Sequence, residues 1–457
     1  MSGRIRRTDL KEVVAELRRR PLRVMRIFAV WWRAFAEQRG RTHAAELPAI
    51  ASTTELLAWR PAGSPDISIV VPVFNQIATA MDCLRSLVAA TTEEAKVELV
   101  VVDDASTDPE AERLRALPGI TYHRNRNNAG FVGACNTGAQ LARGRLLVFL
   151  NSDTLVTPGW LERLVGMLKE PGVGLVGASL RYPDGRLQEA GGLVFADASG
   201  WNYGRNGHPA DPRYCTRRDS HYCSGAALAV TRKRFTEMGG FDARFAPGYY
   251  EDTDLAMRVR ASGARVVYEP EAVVVHLEGA SAGTDTSQGM KAAQVVNRER
   301  FRELWRETLL QAHPAPGTDA DLVVRTEGAA WAVACCGEEP EACFLEALET
   351  LVERGCVVDL FLGGFLSEER VRGLRSRGVY VWPREWHATG RWLLVRHGHA
   401  AQGLLVDGSP ASLHWMKSVA DDLGHGPRLW LGSGDLPKRA GLTPVSGPSG
   451  VVAALGL

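Results

Sequence analysis

Val97–Glu98–Leu99–Val100–Val101–Val102–Asp103–Asp104 is a nearly unbroken apolar run that stops at two acids. A run rich in β-branched residues, without polar alternation, reads as a strand buried on both faces. That is the pattern of a parallel sheet covered by helices. It recurs on either side. Upstream, Ile67–Ser68–Ile69–Val70–Val71–Pro72–Val73–Phe74–Asn75 is a second buried strand ending in a polar turn, and a helical pattern follows over about 78–90. Downstream come a short strand, Ile120–Thr121–Tyr122–His123, and a helix starting near Gly130. The strand Leu146–Leu147–Val148–Phe149–Leu150 then ends at Asn151–Ser152–Asp153. Strands alternating with helices specify a mostly parallel α/β sheet. Ligands of such sheets bind beyond the carboxyl ends of the strands, where Asn75, Asp103, Asp104 and Asp153 all fall. A single Asp after a strand commonly just closes the next turn. Several such positions between residues 75 and 153 point instead to a nucleotide site.

A second stretch carries chemistry. Gly239–Gly240–Phe241–Asp242–Ala243–Arg244–Phe245 leads to Tyr249–Tyr250–Glu251–Asp252–Thr253–Asp254–Leu255, and a helical pattern then runs to Gly263. Acids at a helix N-terminus can do no more than meet the macrodipole, with Thr253 as the cap. The glycines and aromatics ahead of them describe a tight loop delivering acids to the helix mouth, which suits a general base.

Taken in order, these segments resemble the family 2 glycosyltransferases, which have the GT-A fold. The matching pieces are Ser68–Asn75, Val102–Asp108, Asn128–Ala129–Gly130–Phe131 with Asn136 and Gly138, Phe149–Thr154, and Phe241–Asp242 through Leu255. The resemblance covers about residues 66–310, and His276–Leu277–Glu278–Gly279–Ala280–Ser281 fits the members that look like rhamnosyltransferases. It implies a nucleotide-sugar donor site. Asp104 would read the pyrimidine edge with Asp103 beside it. Pro72 and Asn75 would shape the wall around base and ribose. Asn128, Gly130 and Asn136 would cover the nucleoside, and Ser152 would join the donor side. It also implies a divalent cation, Mg²⁺ or Mn²⁺, on the diphosphate. The usual Asp-x-Asp motif departs here, because Asn151 stands in the first position. Asp153 remains as the metal-binding acid. His276 is either a second ligand or a buried histidine closing the Val273–Val274–Val275 strand. The base of the family's Glu-Asp pair carries to Asp252, with Glu251 holding acceptor hydroxyls or orienting the base. Asp254 is expected to cap the following helix.

The remaining sequence sets the frame. A length of 457 residues fits two to three domains, and a net charge of +1 gives no global field for nucleic acid. Eight scattered cysteines without a CxxC pair fit a reducing cytosol. No apolar run reaches the roughly 18 residues of a membrane span. The one ahead of Ala34–Phe35–Ala36 is too short for a signal peptide. Residues 1–42 hold twelve Lys or Arg against four acids, a net +8. Val24, Phe28, Trp31 and Phe35 form an apolar stripe there, after an earlier helix carrying Leu10, Val13, Val14 and Leu17. Such a basic amphipathic helix either lies on an anionic membrane at the inner face or docks on its own catalytic domain.

Domains are therefore expected at 1–65 (basic helical segment and linker), 66–314 (GT-A) and 318–457. A loop-rich stretch over about 181–222, with Trp201, Tyr203, His208, Tyr214, His221 and Tyr222, is placed as an acceptor-side lid. The last domain reads as a Rossmann-like α/β unit of unknown role, without GxGxxG. Its expected strands are Trp331–Ala334, Val357–Leu362, Val379–Val381, Trp392–Val395, Leu404–Val406 and Leu429–Leu431. The function these readings imply is an inverting transfer from a dTDP- or UDP-sugar, such as dTDP-L-rhamnose. The acceptor would be a cell-surface glycan or its lipid-linked precursor. A nucleotidyltransferase and a catalytically inactive nucleotide-sugar-binding scaffold are the alternatives.

Overall fold

The computed structural model describes residues 21–40, 59, 63–91, 95–277, 289–326, 328, 330–337, 340–419, 421–423, 425–432 and 442–457. The stretch 278–281 and the helix carrying Leu10 to Leu17 lie outside them. The chain forms two compact units, one of residues 44–320 and one that joins residues 1–43 to residues 321–457.

The first unit is built on strands β1 (Ile67–Val73), β2 (Val97–Asp103), β3 (Thr121–Arg124), β4 (Leu146–Leu150), β5 (Thr154–Val156) and β6 (Val173–Arg181). They are followed by β7 (Leu187–Glu189), β8 (Gly192–Val194), β9 (Gly200–Asn202), β10 (Arg218–Asp219), β11 (Ala227–Thr231) and β12 (Arg265–His276). The main sheet runs β10-β12-β6-β11-β4-β1-β2-β3, with β5 on β12 and β7 on β6. β3, β2, β1 and β4 are mutually parallel, and β11 enters antiparallel between β4 and β6. This mixed α/β arrangement is that of the GT-A fold.

Alternation along each strand divides the core. Ile69 and Val71 pack with Leu84, Leu87 and Trp160 on one face. Val70 and Phe149 pack with Val132, Phe241 and Leu255 on the other. Burying one such side chain contributes about 1.5–3 kcal/mol, so both faces hold the strand ends rigidly. The β1–β2 register pairs Pro72 with Val102 and Val73 with Asp103. Asp104 N–H then donates to the Val73 carbonyl at 2.8 Å. Pro72 and Asp104 thus emerge side by side at the carboxyl edge. The expected loop-rich stretch contains the short strands β7 to β10. Tyr203, Tyr214 and His221 are buried in it, while Trp201 is half exposed.

The second unit has a parallel sheet of β13 (Trp331–Cys336), β14 (Val357–Leu362), β15 (Val379–Trp382), β16 (Gly403–Val406), β17 (Arg428–Trp430) and β18 (Thr443–Pro444). Its order, β15-β14-β13-β16-β17-β18, is that of a Rossmann sheet. Trp392–Val395 is not a strand but part of helix His387–His397. The chain must travel from the edge strand β15 back to β16 beside β13, and a parallel crossover of that length needs a helix. Helix Pro21–Gly40 packs in this unit, against helix His387–His397. Among its described side chains, those of Val30 and Ala34 are buried. Arg26 pairs with Asp421 at 2.9 Å and Asp422 at 3.0 Å. Glu37 accepts the Thr389 backbone N–H at 2.6 Å. Docking on the catalytic domain, one of the two expected fates of this helix, is therefore corrected to docking within the C-terminal unit. Val30 and Ala34 are small enough for close helix contact, and both polar tethers lie on that side.

Candidate active site

A cleft of about 660 Å³ opens at the carboxyl edge of the first sheet. Pro72, Asp104, Asn128, Gly130, Ser152, Asp153, Glu251, Asp252 and His276 all line it. Residues separated by up to 204 positions in the chain are thus gathered in one place.

Helix Glu251–Ala261 begins without a side-chain cap, and Tyr249 and Tyr250 ahead of it both have φ of 72°. Two successive left-handed non-glycine residues store backbone strain of roughly 1–3 kcal/mol each. The surroundings hold them there. Asn297 donates to the carbonyls of Phe245, Gly248 and Tyr249 at 2.7, 2.9 and 3.1 Å. Gly130, with φ of +70°, lets Pro247 approach so closely that a Cβ would lie 2.5 Å from its Cα. Thr253, expected as a cap, instead donates its N–H and hydroxyl to Asp252 Oδ1 at 2.6 and 3.1 Å. Gly225 N–H donates to Asp252 Oδ2 at 2.9 Å. Burial raises the Asp252 carboxyl, and these three donors oppose the shift by stabilising its charge. Glu251 is raised much further, by burial and by the Asp252 charge. Its buried Oε2 has no hydrogen-bond partner among the described residues. Of the pair, Asp252 is therefore the group held ionised. Asp254 does not cap: it is fully buried, bonds Arg258 at 2.8 Å and accepts the Trp305 indole N–H at 2.9 Å.

Three expected donor-site residues stand behind the wall rather than on it. Asp103 is fully buried, pairing with Arg124 and accepting from Tyr122 Oη at 2.9 Å and Ser106 N at 2.8 Å. Asn75 accepts the N–H groups of Thr107 and Asp108 at 2.8 and 3.1 Å, tying the loop after β1 to the loop after β2. Asn136 clamps the Phe241 backbone, donating at 2.7 Å and accepting at 3.0 Å. Asp104 lines the cleft while accepting from Asn125 Nδ2 at 2.7 Å and Ala129 N at 3.0 Å.

At the other end of the cleft, His276 Nε2 lies 3.2 Å from Asp153 Oδ1. His276 Nδ1 lies 2.8 Å from Gln188 Oε1. An amide oxygen only accepts, so Nδ1 carries hydrogen, and Nε2 turns toward the carboxylate.

Residues 68–231 match the family model described as Glycosyl transferase family 2. The match assigns residues 68–231 to glycosyltransferase family 2. Among curated relatives, the O-antigen biosynthesis protein RfbC of Myxococcus xanthus is 32% identical over 55% of this chain and 20% of its own length. The pre-mycofactocin glycosyltransferase of Mycobacterium tuberculosis is 30% identical over 51% of this chain and 47% of its own. The N-acetylglucosaminyl-diphospho-decaprenol L-rhamnosyltransferase of Mycobacterium tuberculosis is 28% identical over 50% of this chain and 82% of its own. The chain thus spans less than half the length of the first two.

No cluster of three or more His, Cys, Asp or Glu able to hold a metal occurs among the described residues. The family 2 domain instead offers a smaller donor set. His276 Nε2 and Asp153 Oδ1, 3.2 Å apart, are two electron-pair donors that would accommodate a cation, whether a proton or a metal ion. The buried Asn151 Oδ1, without a hydrogen-bond partner among the described residues, adds a neutral oxygen nearby. Asp153, His276 and Asn151 would fit a divalent ion, with phosphate and water supplying its remaining ligands. Gln188, which orients the histidine, and Glu189, which also lines the cleft, were not found from sequence. Both ride on β7, whose place depends on its antiparallel pairing of Leu180 with Glu189.

Proposed function

We propose that residues 66–314 transfer a sugar from a dTDP- or UDP-linked donor, such as dTDP-L-rhamnose, to a hydroxyl of a glycan or lipid-linked glycan precursor. The observation that carries this is Asp252: a half-buried carboxylate kept charged by three donors, in the same cleft as the strand ends that form the donor wall. The donor's nucleoside lies along Pro72, Asp104, Asn128 and Gly130. Its diphosphate reaches Ser152, Asp153 and His276, where Mg²⁺ or Mn²⁺ would neutralise charge on the leaving group. Asp252 takes the proton from the acceptor hydroxyl, and the acceptor oxygen attacks the anomeric carbon in line with the departing diphosphate, inverting that centre. Glu251, kept neutral by its surroundings, orients the acceptor. A relative named as an L-rhamnosyltransferase acting on a diphospho-decaprenol supports the choice of sugar and acceptor class. The test is release of free nucleoside diphosphate from a panel of nucleotide sugars, with and without Mn²⁺. Turnover of a dTDP- or UDP-sugar is expected, and binding without turnover across the panel would reduce the domain to a scaffold.

We place the protein in the cytoplasm, in peripheral contact with the inner face of the membrane. No described helix is long and apolar enough to cross a bilayer. Helix Pro21–Gly40 leaves Met25, Phe28 and Trp32 exposed on a basic segment even when docked in the C-terminal unit. Each Lys or Arg near an anionic surface adds roughly 1 kcal/mol of attraction. Retention on anionic but not neutral vesicles is expected, and lost on deletion of residues 1–42. Equal behaviour on both vesicles would remove the membrane role.

A further inference from the structure

Glu189 is a carboxyl group that the mechanism above leaves unused. It ends β7, is 1% exposed, and still lines the cleft. Its Oε1 accepts the Ser224 backbone N–H at 2.9 Å, and Asp252 Oδ2 accepts the next N–H in the chain, that of Gly225, also at 2.9 Å. Two consecutive amides therefore hold two carboxyl groups side by side on one wall. Both cannot ionise easily, because the second charge would form in a buried site beside the first. Asp252 has three donors turned toward it, and Glu189 has the Ser224 amide. The charge settles on Asp252 and the proton on Glu189. Burial chiefly, then the Asp252 charge, push the Glu189 carboxyl up to about 8, with the Ser224 amide offsetting part of the rise. Arg218 and Arg205 face it as cations, and Tyr222 and Cys223 stay neutral beside it.

We propose that Glu189 binds the acceptor as a neutral carboxylic acid, its O–H donating to an acceptor oxygen next to the hydroxyl that Asp252 deprotonates. This rests on the glycosyl-transfer reading. In the transfer step Asp252 takes the hydroxyl proton and the freed oxygen bonds to the anomeric carbon. The bond to the nucleoside diphosphate breaks, its electron pair leaving with the phosphate, and Glu189 keeps its proton throughout. A wall with one accepting and one donating group side by side fits two neighbouring hydroxyls of a sugar ring, rather than an isolated alcohol.

Glu189→Gln keeps a neutral donor that cannot ionise. At neutral pH its transfer rate should stay within about tenfold of wild type, the worth of one neutral hydrogen bond. Wild-type kcat/KM for the acceptor should fall as pH rises through about 8, and the variant should lose that fall. Glu189→Ala should raise the acceptor KM while donor affinity by calorimetry holds. A folded, donor-binding Glu189→Gln without activity would mean that Glu189 works ionised, and would overturn the proposal. So would an alkaline fall that persists at the same pH in Glu189→Gln. Protonation is also read without turnover. The infrared difference between wild type and Glu189→Gln should show a protonated carboxyl at pH 7 that disappears as pH rises through about 8. A carboxylate signal at pH 7 overturns the proposal whether or not the enzyme turns over. Absence of transfer by wild type would instead strike the glycosyl-transfer reading.

Discussion

Replacing Gly130 with Ala tests how the helix that starts at Gly130 holds the loop leading to Asp252. Gly130 opens helix Gly130–Leu141 at φ +70°, and an added Cβ would meet Pro247 Cα at 2.5 Å, Pro247 O at 2.5 Å and Pro247 Cβ at 2.6 Å. None of these is the free end of a flexible side chain. The left-handed conformation costs an alanine about 1–2 kcal/mol, and forcing atoms into a filled space adds about 1–3 kcal/mol. Restoring ordinary contact at 3.4 Å requires a displacement of roughly 0.9 Å. Pro247 stands four positions before Glu251, so that displacement passes into the strained pair Tyr249–Tyr250 and on to Asp252. Misplacing reacting groups by about 1 Å can cost 10²-fold in rate. The expected outcome is a stability loss of about 2–5 kcal/mol in urea unfolding, summing those two costs. Single-turnover transfer should slow about 10²-fold. A Gly130→Ala protein with wild-type urea midpoint and wild-type transfer would refute the idea that this contact positions the base.

Further outcomes follow from other parts of the structure. Asp153→Ala should abolish the dependence of donor affinity on Mn²⁺ while the fold survives. Transfer by wild type that EDTA leaves intact would remove the cation from the site. In the C-terminal unit, Asp359 is fully buried with Arg325 at 3.2 Å and accepts the indole N–H groups of Trp331 and Trp382 at 2.8 and 2.6 Å. Asp359→Ala takes one charge partner from the buried Arg325 and the acceptor from two buried indole N–H groups, and should cost about 3–5 kcal/mol by urea denaturation. A loss below about 1 kcal/mol would contradict that. Glu189 links stability to pH. Its carboxyl is raised from 4.5 to about 8 in the folded protein, so the folded state holds the proton more tightly than the unfolded chain. That stabilisation is complete below pH 4.5 and lost as pH rises through about 8, amounting to about a few kcal/mol. Thermal melts across this window should show the decline in wild type and a flatter profile in Glu189→Gln.

Much of the first domain could be read from sequence because parallel strands are long apolar runs with punctuated ends. β4 is Leu146–Leu150 as expected, and the strand-end groups Asp104 and Asp153 do face the cleft. Adjacent acids are harder. Asp103 and Asp104 differ by one position, and only the sheet register turns the first toward Tyr122 and Arg124 and the second toward the ligand side. Gln188 and Glu189 were hidden for another reason. A three-residue strand has too little periodicity to announce itself, and its function comes from neighbours more than thirty positions away. The N-terminal helix illustrates a third limit. Helical periodicity at 100° per residue places Val24, Phe28, Trp31 and Phe35 on one apolar stripe. The structure instead buries Val30 and Ala34, where small side chains allow close approach, and leaves Phe28 outside. Trp392–Val395 shows that a short apolar run does not separate helix from strand until the connection it must make is known.

The most direct measurement is single-turnover transfer by Asp252→Asn, with donor affinity and melting temperature taken on the same sample. The amide keeps nearly the size of the carboxylate and still accepts a hydrogen bond from Gly225, but it cannot take a proton. Because general-base catalysis contributes about 10²–10⁴-fold, transfer should fall by that order while donor affinity stays close to wild type. If Asp252 merely stabilised the start of helix Glu251–Ala261, its loss would cost about 0.3–1 kcal/mol of stability and leave turnover intact. A variant slightly less stable than wild type that transfers sugar at the wild-type rate would contradict the assignment of Asp252 as the base.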